Sequence, residues 1–301
     1  MFASKRPDGQ RVVRAPNVRL FMPLFMLRRN ESAVYFEQDI DVTEVDAYLK
    51  RWNAGDRPRL REIHLFLAAA ARVLHDRPRL NRFIAGRRLY QREHIDISIS
   101  VLKAKKDDAQ LTVVKQRFDG TVGLVETRAR TEEILRTGRG QEQTHSEREM
   151  ALLSYLPRWI VPLLVKLQRF AEYINIFPRS LVDNDPLYAS LMISHLGTIG
   201  INAAYHHLYE HGTIPIFVTI GKRRMKPVVM ADGSIEARPI VTARYAFDER
   251  IADGFYAARA IDLVQKFMEN PWLLEVEADN GPGGPNQSAI ERRSSVSASG
   301  A

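Results

Sequence analysis

Cysteine is absent from the 301 residues, which excludes a disulfide framework, a thiolate nucleophile and any cysteine-ligated zinc. Long apolar runs are absent as well. No stretch approaches the roughly 18 uninterrupted apolar residues that read as a membrane-spanning helix. The nearest, residues 155–177 (YLPRWIVPLLVKLQRFAEYINIF), is broken by Arg158, Lys166, Arg169 and Glu172 and carries Pro162. Its apolar breadth suits a helix lying on a membrane surface, not one passing through it. Glycine-rich phosphate loops of the P-loop and dinucleotide-binding types are missing, so neither ATP nor NAD is expected. The basic N-terminus (MFASKRPDGQRVVRAP) is not followed by an apolar segment with a small-residue cleavage site, so no signal peptide is expected. The expected location is cytoplasmic, with peripheral attachment to a membrane as the variant of that reading.

Acid is in short supply relative to base: 36 Asp and Glu face 44 Lys and Arg, a net charge of +8. Eleven arginines between Arg51 and Arg92 stand against only Asp56, Glu62 and Asp76. Such a block attracts nucleic acid, anionic lipid or a phosphorylated cofactor. No zinc-finger or RNP-type signature accompanies it, so nucleic acid is not an expected partner. The block and the segment GKRRMK (221–226) suit the phosphates of coenzyme A, against the plainer reading of a solvated basic surface.

What is present is an ordinary globular composition, 45% hydrophobic and 27% charged, enough for one large domain. Residues 1–17 read as a flexible basic lead and 278–301, rich in Gly, Ser and Pro, as a disordered tail. Between them, alternation predicts strands over 33–42, 94–104 and 110–118. Thr43 reads as the N-cap of a helix, with Asp46 at the capping-box position. Residues 60–78 form an apolar pattern that ends at Pro78, a buried helix. Pro23 interrupts any helix over 18–29. Residues 82–91 read as a hairpin, Asp232-Gly233 as a hairpin turn, and the last helix runs from Gly254 toward Pro271. Strands and helices interleave without repeats, an α/β pattern.

Four segments in order carry a resemblance: FEQDIDVTEVDAYLKRWN, then LREIHLFLAAAARVLHDRPRLNRFIAGRRLYQREHIDISISV, then ISHLGTIG (193–200), and finally FDERIADGFYAARAIDLVQKFMENPWLL. Together they resemble the catalytic core of the dihydrolipoamide acyltransferases of 2-oxoacid dehydrogenase complexes, over about residues 30–275. The resemblance implies a chloramphenicol acetyltransferase-like, CoA-dependent acyltransferase fold, a mixed sheet flanked by helices, spanning 18–277. It also implies a homotrimer with active sites between subunits and a coenzyme A thioester as substrate, without a metal. Neither a lipoyl domain nor a subunit-binding domain is read in the chain.

One departure governs the functional expectation. The family's turn is H-x-x-x-D-G, and its histidine takes the proton of the attacking group. Here that position is Glu249, while Asp253 and Gly254 are kept. The oxyanion-stabilising serine of the family's S-x-L-G motif falls on Ser194. Standard histidine-based transfer is therefore expected to be lost or altered, a degenerate site or pseudoenzyme. Glu249 either acts as a retuned base or pairs with Arg244 or Arg250 as a structural residue. A non-catalytic trimeric scaffold, or a protein binding a membrane surface or acyl chain, is the alternative function. His195 is a remote substitute for the base, because strand neighbours point to opposite faces. The H-x-x-E-H pattern His207 to His211 resembles an inverted zinc-protease motif, but Gly212 stops any helix that would present it, and no metal is expected. Residues 155–177 are expected to add core, a subunit contact, an acyl-chain channel or a membrane-surface helix.

Overall fold

The computed structural model describes residues 5–103, 111–140, 148, 151 and 154–275. Its strands in chain order are β1 (Lys5–Arg6), β2 (Gly9–Arg11), β3 (Ala33–Asp41), β4 (Arg82–Ala85), β5 (Arg88–Arg92) and β6 (Ile95–Leu102). They continue with β7 (Leu111–Phe118), β8 (Leu191–His195), β9 (Ile216–Ile220), β10 (Arg224–Val229) and β11 (Ile235–Asp248). The α-helices are α1 (Asn17–Phe25), α2 (Thr43–Asn53), α3 (Glu62–Asp76), α4 (Leu124–Arg139), α5 (Ile160–Tyr173), α6 (Arg179–Asn184) and α7 (Gly254–Glu269).

Seven strands form one mixed sheet. β6, β8 and β9 run parallel at its centre, where side chains are covered on both faces, which is why IFVTI of β9 is apolar on successive residues and wholly buried. β6, whose alternation predicts a half-buried strand, is buried at Ile97, Ser98, Ile99 and Val101 and partly exposed at its other four residues. β7 lies antiparallel on one flank. On the other, β11 is antiparallel to β9 and carries β3 along its far side from Ile240 to Asp248. The β10–β11 hairpin turns at Asp232-Gly233 as expected, with Gly233 at φ 83, a backbone conformation open to glycine at little cost. A smaller antiparallel sheet, in the order β1–β2–β5–β4, packs beside it.

The main core lies on one face of the large sheet. Ile97, Ile99 and Val101 of β6, Ile193 of β8 and Val218 of β9 join Leu67, Val73 and Leu74 of α3 and Ala257 and Ala260 of α7. The mixed sheet flanked by helices is thus as expected, and α3 is buried nearly all round. A narrow apolar void of about 70 Å³ between the sheet, α3 and α7 is far too small for a long acyl chain.

Several local expectations are corrected. The basic lead is not a loose strand of chain: residues 5–6 and 9–11 join the small sheet, and Arg6 is buried beside Asp8 at 3.0 Å and over the rings of Phe83 and Tyr90. Asp8 and, at 3.8 Å, Glu172 of α5 supply the counter-charge that composition alone discounts. Pro23 sits inside α1 instead of breaking it; the helix is short and the lost hydrogen bond falls in its last turn. Val42, not Thr43, is the N-cap of α2, and Asp41 accepts from the Thr43 backbone N–H at 2.9 Å and from its hydroxyl at 2.6 Å. Asp46 bonds Arg223. The predicted helix over 155–177 is α5, 160–173; none of its residues is fully buried, and the segment adds core only at Phe177, in a small cluster with Val182 and Tyr188 against which Ala171 packs. The predicted tail at 278–301 lies outside the described residues.

His64 opens α3 and is fully buried, its Nδ1 accepting from the Arg61 backbone N–H at 3.0 Å and its Nε2 2.9 Å from Glu132. Burial, with help from the Arg61 charge and against the pull of Glu132, lowers its pKa to about 4, against about 6.5 for a free histidine. A folded-state pKa below the unfolded value means stability present above pH about 6.5 and lost as pH falls toward about 4. Midpoints of thermal unfolding measured across that window should fall with pH, and the slope should flatten in His64→Gln, whose side-chain oxygen can still accept from Arg61.

Candidate active site

Glu249 stands on the turn between β11 and α7, and its backbone is fixed on both sides. Its N–H donates to the Ser32 carbonyl at 3.0 Å. Its carbonyl accepts from Arg19 of α1, which also bonds the Ala252 carbonyl at 3.1 Å. The neighbours are locked harder still. Asp248 is wholly buried and takes Arg250 in a two-pronged ion pair, 2.8 Å to Nε and 2.7 Å to Nη2, while Arg250 Nη1 bonds the Met26 carbonyl at 2.8 Å. Such planar pairing is the strong geometry for arginine and carboxylate.

The expected structural pairing of Glu249 with Arg244 or Arg250 does not occur. Arg250 is committed to Asp248, and Arg244 to Glu37 at 2.5 Å and the Ala203 carbonyl at 2.6 Å. The half-buried Glu249 side chain is left with no ion pair or hydrogen bond to another described residue. Asp253 caps α7, its side chain accepting from the Tyr256 N–H at 2.8 Å, the common use of aspartate at that position.

Ser194 lies near the end of β8 on the face away from the helices, and its hydroxyl accepts from Ser100 of β6 at 2.9 Å. His195 points to the opposite face, Nε2 3.9 Å from Glu62 at the start of α3, with a buried Nδ1 that has no partner among the described residues. Burial lowers its pKa, opposed by Glu62 and aided by Arg223. The alternation argument therefore holds, and the neighbour of the serine does not share its side of the strand.

A cleft of about 540 Å³ opens at the carboxyl ends of β6 and β8, lined by Arg61, Ser100, Lys103, Arg139, His195 and Thr198 among others. Ligands bind α/β sheets at the carboxyl ends of parallel strands. Its lining sets Arg61, Lys103 and Arg139 beside Glu62 and an imidazole nitrogen without a partner among the described residues. Ser100 and Lys103 do not stand out in the sequence, where their only signal is a place at the end of an alternating strand. Much of the arginine block is engaged internally: Arg61 with Glu132 at 2.5 Å, Arg92 with Thr213 at 2.8 Å, and Arg223 of the GKRRMK segment with Asp46 and Glu62.

Ser194 and Glu249 do not meet within one chain. Ser194 is in register with Thr219, and Thr219 with Arg244, five residues before Glu249. At about 3.4 Å per residue along the strand and about 4.8 Å per strand across it, the two lie about 20 Å apart. The H-x-x-E-H segment is irregular, not helical. Glu210 accepts from Asn30 at 2.9 Å, and Asp185 holds His211 at 2.9 Å and raises its pKa.

Residues 180–276 match the family model for 2-oxoacid dehydrogenases acyltransferase (catalytic domain), a span that includes Ser194, Glu249 and Asp253. The dihydrolipoyllysine-residue acetyltransferase component of the Staphylococcus aureus pyruvate dehydrogenase complex is 32% identical over 89 residues, 30% of this chain and 20% of that protein. The chain thus spans about a fifth of the length of the curated relatives it matches. Among solved structures, dihydrolipoamide acetyltransferase of Azotobacter vinelandii aligns with a TM-score of 0.56 at 19% identity, over 88% of this chain and 94% of its own. That enzyme has been investigated for the role of a serine, a histidine and an asparagine in its catalytic mechanism. The truncated catalytic core of the Thermoplasma acidophilum 2-oxoacid dehydrogenase complex aligns at 0.52 and 16% identity, over 87% and 99% of the two chains. Chloramphenicol acetyltransferase aligns at 0.50 and 10%, over 89% and 100%. The fold is that of chloramphenicol acetyltransferase and the dihydrolipoamide acyltransferase cores, and the sequence signature of their catalytic domain lies in the C-terminal third.

Proposed function

We propose that this acyltransferase-core fold transfers an acyl group from a coenzyme A thioester at a site assembled between copies of the chain, with Glu249 replacing the family's histidine as proton acceptor. The observation that carries the reading is the presentation of Glu249: a backbone held on both sides, flanked by a buried ion pair, offering a carboxylate without a partner among the described residues. A glutamate kept only to brace the turn would be paired with it. Ser194 is the oxyanion donor, its hydroxyl already oriented by Ser100, and Asp253 holds the helix that ends the turn. The thioester brings the activated acyl group; Lys103 and Arg139 would receive its phosphates in the cleft that Ser100, the hydrogen-bond partner of Ser194, helps to line.

The separation of about 20 Å within a chain supports a site shared between copies. So do exposed apolar side chains on the segments that carry each half: Phe21 and Phe25 on α1, whose Arg19 bonds the Glu249 turn, Phe255 just after that turn, and Ile199 and Ile201 after Ser194. A head-to-tail contact that puts one set against the other closes into a ring, as in a trimer. Two variants test this directly. Ser194→Ala and Glu249→Gln chains should each be nearly inactive in acetyl-CoA turnover with a thiol acceptor, and mixed oligomers from co-expression should recover part of the wild-type rate, because some interfaces then hold both intact residues. Mixtures no more active than the separate variants would refute a shared site.

A scaffold without catalysis is the second reading, favoured by Arg223. This arginine at the entrance of the basic loop is clamped by Asp46 and Glu62 and is withdrawn from anion binding. Its discriminating outcome lies with the variants of Glu249.

A further inference from the structure

Helix α5 turns its smaller apolar residues and two polar ones, Gln168 and Glu172, toward the protein and its largest apolar residues outward. Gln168 bonds the Tyr188 hydroxyl at 3.3 Å, and Glu172 accepts from the same hydroxyl at 2.5 Å while standing 3.8 Å from Arg6. At the end of the helix, the Tyr173 carbonyl takes Arg88 at 2.7 Å, and just beyond it Asn175 bonds Tyr90 at 2.9 Å. Val161, Val165, Gln168 and Glu172, spaced by three and four, are the inward side. The opposite stripe, Trp159, Leu163, Leu167 and Phe170, follows the same helical spacing and faces outward, exposed by 73%, 58%, 61% and 59%. In water a helix buries its largest apolar side chains against the protein; this one turns Val161, Val165 and Ala171 inward beside the hydrogen-bonded Gln168 and Glu172 and displays Trp159, Leu163, Leu167 and Phe170.

The charges beside that stripe have one sign. Arg158, Lys166 and Arg169 are exposed along the helix, whereas its single acid, Glu172, is turned inward to Tyr188. Two copies meeting stripe to stripe would bring these cations together, while an anionic surface complements them. Basic residues bordering a Trp, Leu and Phe face are the pattern of a helix that lies in the plane of a membrane interface, and exposed Tyr155 and Trp159 at its start are the aromatic types that settle at headgroup level.

From this exposed stripe of large apolar side chains and the cations that border it on the helix we infer that α5 docks the protein on an anionic lipid surface, its outward stripe entering the headgroup boundary. The proposal stands apart from the catalytic reading, since none of these residues belongs to the site. It also gives the exposed stripe an occupant that the trimer contacts near Ser194 and Glu249 do not provide.

Flotation of the full chain with phosphatidylcholine vesicles, with and without phosphatidylglycerol, tests it. Wild type should float with the anionic vesicles only, less so at high salt. Leu167→Glu with Phe170→Glu, both at exposed positions, should lower the partition coefficient by about ten-fold or more. Lys166→Gln with Arg169→Gln should lower it by about five-fold per charge removed. Trp159 fluorescence should shift to the blue on vesicle addition, and Trp159→Phe should lose that shift while still floating, because Trp52 lies in the main core and Trp272 packs against it. Absence of wild-type flotation, or apolar-face variants that float undiminished, would overturn the proposal. An apolar-face variant that instead changes the sedimentation of the oligomer, with no vesicle binding by wild type, would assign the stripe to a second copy.

Discussion

Glu249→His is expected to raise acetyl-CoA turnover with a thiol acceptor by about a hundred-fold, and Glu249→Gln to abolish what wild type shows. The expectation rests on proton affinity. A thiol has a pKa of about 8.5, an imidazole about 6.5 and a glutamate carboxylate ordinarily about 4.3. Moving the proton from thiol to imidazole is uphill by about 2 units, and to an ordinary carboxylate by about 4, so the side chains differ by about 3 kcal/mol. Carried fully into the barrier, that is about two orders of magnitude. Charge adds in the same direction: a protonated imidazole is a cation beside the developing oxyanion and stabilises it, whereas a protonated carboxyl is neutral. The turn itself should tolerate the exchange, because the bonds that hold it are made by the Glu249 backbone and by Asp248 and Arg250. Steady-state rates at a fixed pH, with the oligomer checked by sedimentation, give the comparison. Measurable wild-type turnover that Gln removes establishes the carboxylate as acceptor. Inactive wild type with an active His variant establishes the scaffold reading, in a fold that keeps everything but its base.

How far the sequence discloses this arrangement depends on the range of the interactions involved. Periodicity marks β6, β7 and α3, because burial on a sheet or helix face leaves a local imprint. The order of four short segments points to the fold, and Ser194, Glu249 and Asp253 come with it. Long-range pairing leaves no such imprint. Adjacency leaves Arg250 between Asp248 and Glu249, and the reading that pairs it with Glu249 misses the buried Asp248; Arg244 reaches Glu37 across the β3–β11 register, and nothing local marks that choice. Arg6 reads as solvated because its partners, Asp8 and the rings of Phe83 and Tyr90, come together only through the small sheet. α5 shows the opposite case. Its apolar periodicity is plain, but periodicity gives only the existence of an apolar side. Which side meets the protein is decided by Gln168 and Glu172, through Tyr188 and Arg6.

Asp248→Ala should be the most destabilising single substitution at the site, by about 3–5 kcal/mol, because it strands a buried arginine without its counter-charge. Arg250 is nearly as buried as Asp248 and keeps only the Met26 carbonyl once the carboxylate is gone. Arg29 is affected too: burial already lowers its pKa, and Asp248 is the largest charge opposing that effect. At about 2–4 °C per kcal/mol for a domain near this size, the unfolding midpoint should fall by about 10 °C. The loss reflects an unpaired charge more than a large net worth of the pair. Asp248→Leu with Arg250→Met should therefore recover part of the stability, making the double variant more stable than Asp248→Ala, a coupling that two independent sites would not show. Activity should part company from stability in the same pair of variants. The ion pair flanks Glu249 and ties the turn to the Met26 carbonyl, so the double variant should remain slow in acyl transfer even where it is folded, with Glu249 itself unchanged. Calorimetry and turnover on the two variants separate the outcomes. A double variant as unstable as Asp248→Ala would mean the turn depends on the pair for its shape, and one with wild-type turnover would remove the ion pair from any part in positioning Glu249.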